Sequence, residues 1–109
     1  MFSIFKSEEQ DYAVKGVYFI GIKGRKNTFK IGKSINCATR IKQLQTGNPD
    51  KLYFYKVIAT DDHTNLETSL HRKFKHKRIL NEWFKITKKE INNLEPSSGL
   101  FHKFTSYFW

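Results

Sequence analysis

Apolar residues in this chain change their spacing several times, and each change marks an element. From Gly16 to Gly24 the run is almost unbroken: Val17, Tyr18, Phe19, Ile20 and Ile22 are β-branched or aromatic, the types that fit a pleated strand. Gly24-Arg25-Lys26-Asn27 reads as a turn and Thr28 to Gly32 as a second strand, so an antiparallel hairpin is expected. Cys37, Ile41 and Leu44 then fall at i, i+4 and i+7, one stripe of a helix that Ser34 or Asn36 caps and that Gly47 and Pro49 end near Thr46. Leu52 to Ala59 returns to a nearly continuous apolar run, which predicts a third strand in the centre of the sheet.

The second half repeats the alternation. Asp61 or Asp62 starts a helix reaching about Lys77, with Leu66, Leu70 and Phe74 as its buried face. Trp83 to Ile86 reads as a short fourth strand, and Thr87 with Glu90 as the capping box of a last helix. The order β-β-α-β-α-β-α is that of an α+β domain, a small antiparallel sheet of three to four strands flanked by helices. Residues 1–15 form an N-terminal extension in which Ser7-Glu8-Glu9 signals a turn or helix. Residues 16–95 form the domain. Residues 96–109 are an aromatic tail that packs back on the domain or offers a surface for self-association.

Composition narrows the class. With 109 residues there is material for one core, and an aromatic content of 16% gives it more apolar area than its aliphatic residues suggest. No apolar run approaches a bilayer's thickness, and the first residues lack the apolar stretch of a secretory signal, so a cytoplasmic, non-secreted protein is expected. Cys37 is the sole cysteine, which excludes an internal disulfide and a cysteine zinc site. His63, His71, His76 and His102 follow no zinc-ligand spacing. A net charge of +10 favours a polyanionic partner, nucleic acid (DNA or RNA) before a membrane surface. Membrane binding is not expected, because the apolar helix faces are needed for the core. Lys30, Lys33, Lys42, Arg72, Lys73, Lys75, Lys77 and Arg78 are the candidate phosphate contacts; the competing reading is a merely solvated basic surface.

Four residues carry possible chemistry. Tyr18 is either a core tyrosine or a phenol able to relay a proton near a phosphate. Arg40, beside the Cys37–Ile41–Leu44 stripe, is either a solvated side chain or a planar fork of donors aimed at a phosphate from the sheet's rim. Glu67 and His71, one helical turn apart, form either a helix-stabilising pair or a cation ligand with a polar neighbour. Magnesium needs only one or two protein carboxylates, so Glu67 can suffice. Glu82 reads first as a loop acid or salt-bridge partner of the basic segment 71–78, and second as a further polar group of the site.

In order, GVYFI (Gly16 to Ile20), Lys30-Ile31-Gly32, Arg40, the stretch Leu66-Glu67 to His71, and Glu82-Trp83-Phe84 resemble the GIY-YIG endonuclease superfamily. Within it they are most similar to the bacteriophage-derived, DNA-binding branch also called the meiotically up-regulated gene group. The resemblance covers about residues 16–86. It implies a nucleic-acid-binding fold and hydrolysis of a phosphodiester with Mg²⁺ or Mn²⁺. Tyr18 would then help activate water, Arg40 stabilise charge on the phosphate, and Glu67 hold the metal; His71 is a further candidate acid or base. The chain departs from the pattern at Lys30, where the second motif has a tyrosine, and at Leu44, where many of these nucleases have a histidine. A non-catalytic DNA or RNA binder on the same scaffold, and an interaction or inhibitory module using the aromatic tail, are the competing functions.

Overall fold

The computed structural model describes residues 12–94 and the short strand Thr105–Ser106. Strands β1 (Gly16–Ile22) and β2 (Phe29–Ser34) form the expected hairpin and lead into helix α1 (Cys37–Gln45). Strand β3 (Leu52–Ala59), helix α2 (His63–Lys73) and a 3₁₀ turn (Lys75–Lys77) follow. Then come β4 (Arg78–Leu80), β5 (Trp83–Phe84), helix α3 (Lys88–Asn92) and β6 (Thr105–Ser106). The strands form one sheet in the order β4-β5-β2-β1-β3-β6, with antiparallel pairing at every step. The α+β class with a small antiparallel sheet and flanking helices is therefore correct.

Strand alternation divides the core in two. Val17 and Phe19 face one layer, where they meet Ile31, Ile58, Phe84 and the Leu66–Leu70–Phe74 stripe of α2. Tyr18, Ile20 and Ile22 face the other, with Phe54, Val57 and Cys37, and α1 covers them with Ile41 and Leu44. Both helix stripes thus bury where their spacing predicts. Asn36, not Ser34, caps α1: its Oδ1 accepts the Thr39 N–H at 3.1 Å, while the Ser34 hydroxyl is engaged with the Asn36 backbone. Gly47, with φ +76, turns the chain after the helix. The capping box of α3 is complete, Thr87 accepting from Glu90 N–H and the Glu90 carboxylate from Thr87 N–H.

Three expectations need correction. The central position belongs to β1, buried at all seven residues, and β3 lies between it and the two-residue β6. Helix α2 stops at Lys73 instead of near Lys77, because after Phe74 the next positions are basic and have no apolar face to bury. The chain tightens into a 3₁₀ turn and enters β4, a strand not anticipated, since all three of its residues are exposed and show no alternation. Its signal was Asn81, whose φ of 52 lets Asn81-Glu82 reverse the chain between β4 and β5. The leading turn or helix at Ser7-Glu8-Glu9 lies outside the described residues, as does the aromatic tail apart from β6.

The apolar reading of β3 also passed over Lys56. A bulge opposite Phe19 and Ile20 leaves Tyr55 as an extra residue, so Tyr55 and Lys56 both turn toward α3. Tyr55 Oη donates to Asn92 Oδ1 at 2.9 Å, and Lys56 Nζ donates to the Ile91 carbonyl at 3.2 Å. Lys56 is 1% exposed, and burial pulls its ammonium down to about 8. Between that value and its ordinary 10.5 the unfolded chain holds a proton that the native protein has released. Stability therefore rises with pH across this window, by an amount on the order of 3 kcal/mol. Urea unfolding at pH 7 and pH 11 should show that rise in the wild type, and Lys56→Met should lack it.

Candidate functional site

The site begins with a cross-strand pair. Tyr18 lies opposite Gly32, and a Cβ on Gly32 would sit 2.3 Å from the Tyr18 hydroxyl and 2.4 Å from Cζ. The phenol therefore lies across β2, in space that any other residue at position 32 would fill. Phe54 supports it in an edge-to-face arrangement at a centroid distance of 6.4 Å. Tyr18 is 1% exposed, and burial pushes its phenol above its ordinary value. The nearby Arg40 guanidinium acts in the opposite direction. Arg40 itself is exposed on α1, where its Nη1 donates to Gln43 Oε1 at 3.4 Å. Tyr18, buried, and Arg40, exposed, thus lie within electrostatic reach of each other.

The outer edge of β2 supplies the remaining groups. On β2, strand β5 pairs only with Phe29 and Lys30, and the Ile31 N–H reaches the Glu82 carbonyl at 3.0 Å. Beyond that point the edge is taken over by α2: the Ile31 carbonyl accepts from His71 Nε2 at 2.9 Å, and Lys33 Nζ donates to Thr64 Oγ1 at 3.1 Å. A carbonyl only accepts, so the His71 proton resides on Nε2. His71 also packs its ring against Phe84 at 5.1 Å. Its contacts are those of a bracket between helix and strand, and only Nδ1 remains for acid or base work.

Glu67, on the same helix, is half-buried. Among the described residues no ion pair or hydrogen bond holds its carboxylate. Burial raises its carboxyl above the ordinary value, and the nearby Glu82 adds to the effect, while His71, Lys33 and Lys30 partly offset it. Glu82 raises the Tyr18 phenol as well, so it stands within electrostatic reach of both the tyrosine and Glu67. Sequence reasoning ranked Glu82 as structural and offered the basic segment 71–78 as its partner; its ion pair is instead with Lys30, at 3.1 Å. That same Lys30 Nζ lies 5.8 Å from the Trp83 ring. The cue in the sequence was its place in the two-residue turn before Trp83, which brings it back beside β2.

Other candidate phosphate contacts lie elsewhere. Arg72, Lys73 and Lys75 are exposed at the end of α2 and in the 3₁₀ turn, Lys42 is exposed on α1, and Arg78 stands over Phe84 at 5.2 Å. Lys77 pairs with Glu90. Among the described residues no three His, Cys, Asp or Glu side chains gather as a metal cage. A hard cation here would rest on Glu67 with help from Glu82, a donor set that suits Mg²⁺ when phosphate and water complete its shell.

Two outcomes are expected. Gly32→Ala should lose about 1–3 kcal/mol in urea unfolding, the range for overpacking a filled core, and Tyr18→Leu in the same chain should recover part of it. For Glu67 the native state holds a proton more tightly than the unfolded chain, so this group's contribution to stability falls as pH rises from 4.5 through its raised native value. Glu67→Gln should therefore unfold at a higher temperature than wild type at pH 7, with the difference closing below pH 4.5.

Among the described residues no helix is long and apolar enough to cross a membrane. No curated protein and no solved structure matches the chain. Residues 15–94 match the family described as the T5orf172 domain. This match corrects the assignment to the GIY-YIG endonuclease superfamily, from which the matching family is distinct. The motif fragments behind that assignment have a local physical origin. GVYFI is the composition of a fully buried central strand, and Gly32 of the Lys30-Ile31-Gly32 triplet is demanded by the ring of Tyr18. The match takes in every element from β1 to α3, and the chain belongs to the T5orf172 domain family, a phage-type, nucleic-acid-associated group.

Proposed function

We propose that this domain binds DNA at the edge of β2 beyond β5 and, with Mg²⁺, hydrolyses a phosphodiester bond there. The observation that carries the reading is the approach of the Arg40 guanidinium to Tyr18, with Glu82 within electrostatic reach of both Tyr18 and the half-buried Glu67. A phosphate oxygen is a natural further partner for the Arg40 fork, which keeps donors beyond the one used by Gln43. Lys33 approaches the same edge from the α2 side. Tyr18, held rigidly across β2, would give or accept a proton at the phosphate or an attacking water. Glu67 would hold the cation, which when bound supplies stabilisation of charge on phosphate oxygens. Its carboxylate suits that role, since burial and Glu82 leave it electrostatically unsatisfied.

A second reading, binding without cleavage, is favoured by the Lys30–Glu82 pair. It commits the second carboxylate to a lysine and sets a cation where proton transfer would otherwise have room. Here Tyr18, Arg40 and Lys33 only grip the backbone.

Plasmid and single-stranded DNA incubated with Mg²⁺ should be nicked or cut by the wild type, with losses of about 100-fold or more for Arg40→Ala and Glu67→Gln. Mg²⁺ should also raise the melting temperature of the wild type and not of Glu67→Gln, a readout independent of turnover. DNA retained in a mobility shift but left uncut by every form, with no thermal response to Mg²⁺, would replace the first reading by the second.

A further inference from the structure

Away from Tyr18, two concavities meet around the β1–β2 turn. One, of about 600 Å³, is lined by that turn, Tyr53 and the start of α3. The other, of about 460 Å³, is lined by the 3₁₀ turn, β4, Lys85 and α3. Asn27 and Thr87 line both, so the two concavities adjoin and are taken together as one channel. Its lining holds seven lysines and arginines against a single carboxylate, Glu90. The whole chain has only two basic residues per acid, 20 to 10, so charge is concentrated here well beyond the average surface. Glu90 is itself occupied, by Lys77 and by the Thr87 N–H. Ile79, 55% exposed, stands in the same wall as an apolar group among cations. A surface that is basic only for solubility has no use for that combination, whereas a nucleic-acid backbone offers phosphates to the cations and a sugar face to the isoleucine.

Position adds to the argument. Phe29 lines the channel and Gly32 underlies Tyr18, so along β2 the two places are separated by three residues, about 10 Å. The β4–β5 hairpin borders both, giving Arg78 and Ile79 to the channel and Glu82 to the β2 edge. The longest dimension of the domain, 38 Å, corresponds to about 11 base pairs of duplex.

We infer that the channel between the β1–β2 turn, β4 and α3 is a second nucleic-acid contact surface, gripping the phosphate backbone of a DNA duplex whose adjoining segment occupies the β2 edge. Arg25, Lys26, Lys85 and Lys89 are its principal phosphate contacts, all of them exposed. The inference rests on the reading of the β2 edge for its partner class but not for its residues, so each can fail separately.

The test is fluorescence anisotropy with labelled duplexes of about 8 and 24 base pairs over a range of salt concentrations. Arg25→Gln with Lys26→Gln and Lys85→Gln with Lys89→Gln serve as two independent double variants, and thermal unfolding confirms that each folds. Each pair should flatten the slope of log K against log salt by about 2 and weaken the longer duplex about tenfold or more near 100 mM salt. The shorter duplex should be affected less. Lys33→Gln with Arg40→Gln is the comparison. If it weakens binding while both channel pairs leave slope and affinity unchanged, the channel is refuted and the β2 edge stands. If the channel pairs weaken binding and the comparison pair does not, the channel stands and the β2-edge reading fails. Absence of binding by the wild type refutes both. Displacement of the duplex by an acidic peptide at equal charge concentration would overturn the nucleic-acid assignment of the channel.

Discussion

The ring of Tyr18 lies across Gly32, and the arrangement at the edge of β2 depends on that contact. Because position 32 has no side chain, a large aromatic on the central strand can extend over its neighbour and present its hydroxyl to Arg40. The same crossing belongs to the core: Tyr18 packs with Phe54, Val57 and Cys37 beneath α1. Position is thereby set by packing, and the hydroxyl has little freedom to be elsewhere. One contact joins the layer that stabilises the fold to the edge where chemistry is possible.

Around it, polar groups come from both faces of the sheet and meet only because β5 is so short. With β5 paired at two residues, β2 runs on without a strand neighbour on that side, and α2 closes against it through His71. Lysines, an arginine and two glutamates then share a small region of mixed charge. Glu67 is left the least compensated of these groups, with a carboxyl raised by burial and by Glu82. Lys30 is the opposite case, matched to Glu82 and set over Trp83.

Much of this was legible before the structure. Hydrophobic spacing located β1, β3, α1, α2 and the α3 capping box, since each has a periodicity or cap that acts locally. It missed β4, whose three exposed residues carry no pattern, and it overran α2, where the signal that matters is the absence of anything apolar after Phe74. Lys56 escaped because its burial comes from a bulge, a property of register between two strands instead of either sequence alone. Among site residues, the sequence put Tyr18 on a strand face and Arg40 on a helix edge, and the two lie within electrostatic reach of each other. The roles of His71 and Glu82 did not follow, because a backbone carbonyl on β2 and a lysine on the same strand are distant partners in sequence. Short motifs misled in one respect: strand composition and a glycine forced by a neighbouring ring are shared by distinct families.

The Glu90 carboxylate has a consequence for how charge is felt on this surface. It accepts from the Thr87 N–H at the start of α3 and is met by Lys77 from the segment before β4, thirteen residues away. Tethered by its cap, this acid behaves as a resident surrogate phosphate, permanently seated among cations. An approaching anion meets at Lys77 a compensated dipole, while Arg25, Lys26, Lys85 and Lys89 present undiluted charge. Counting lysines on such a face therefore overstates its pull on counter-ions, and the overstatement is localised to one side chain.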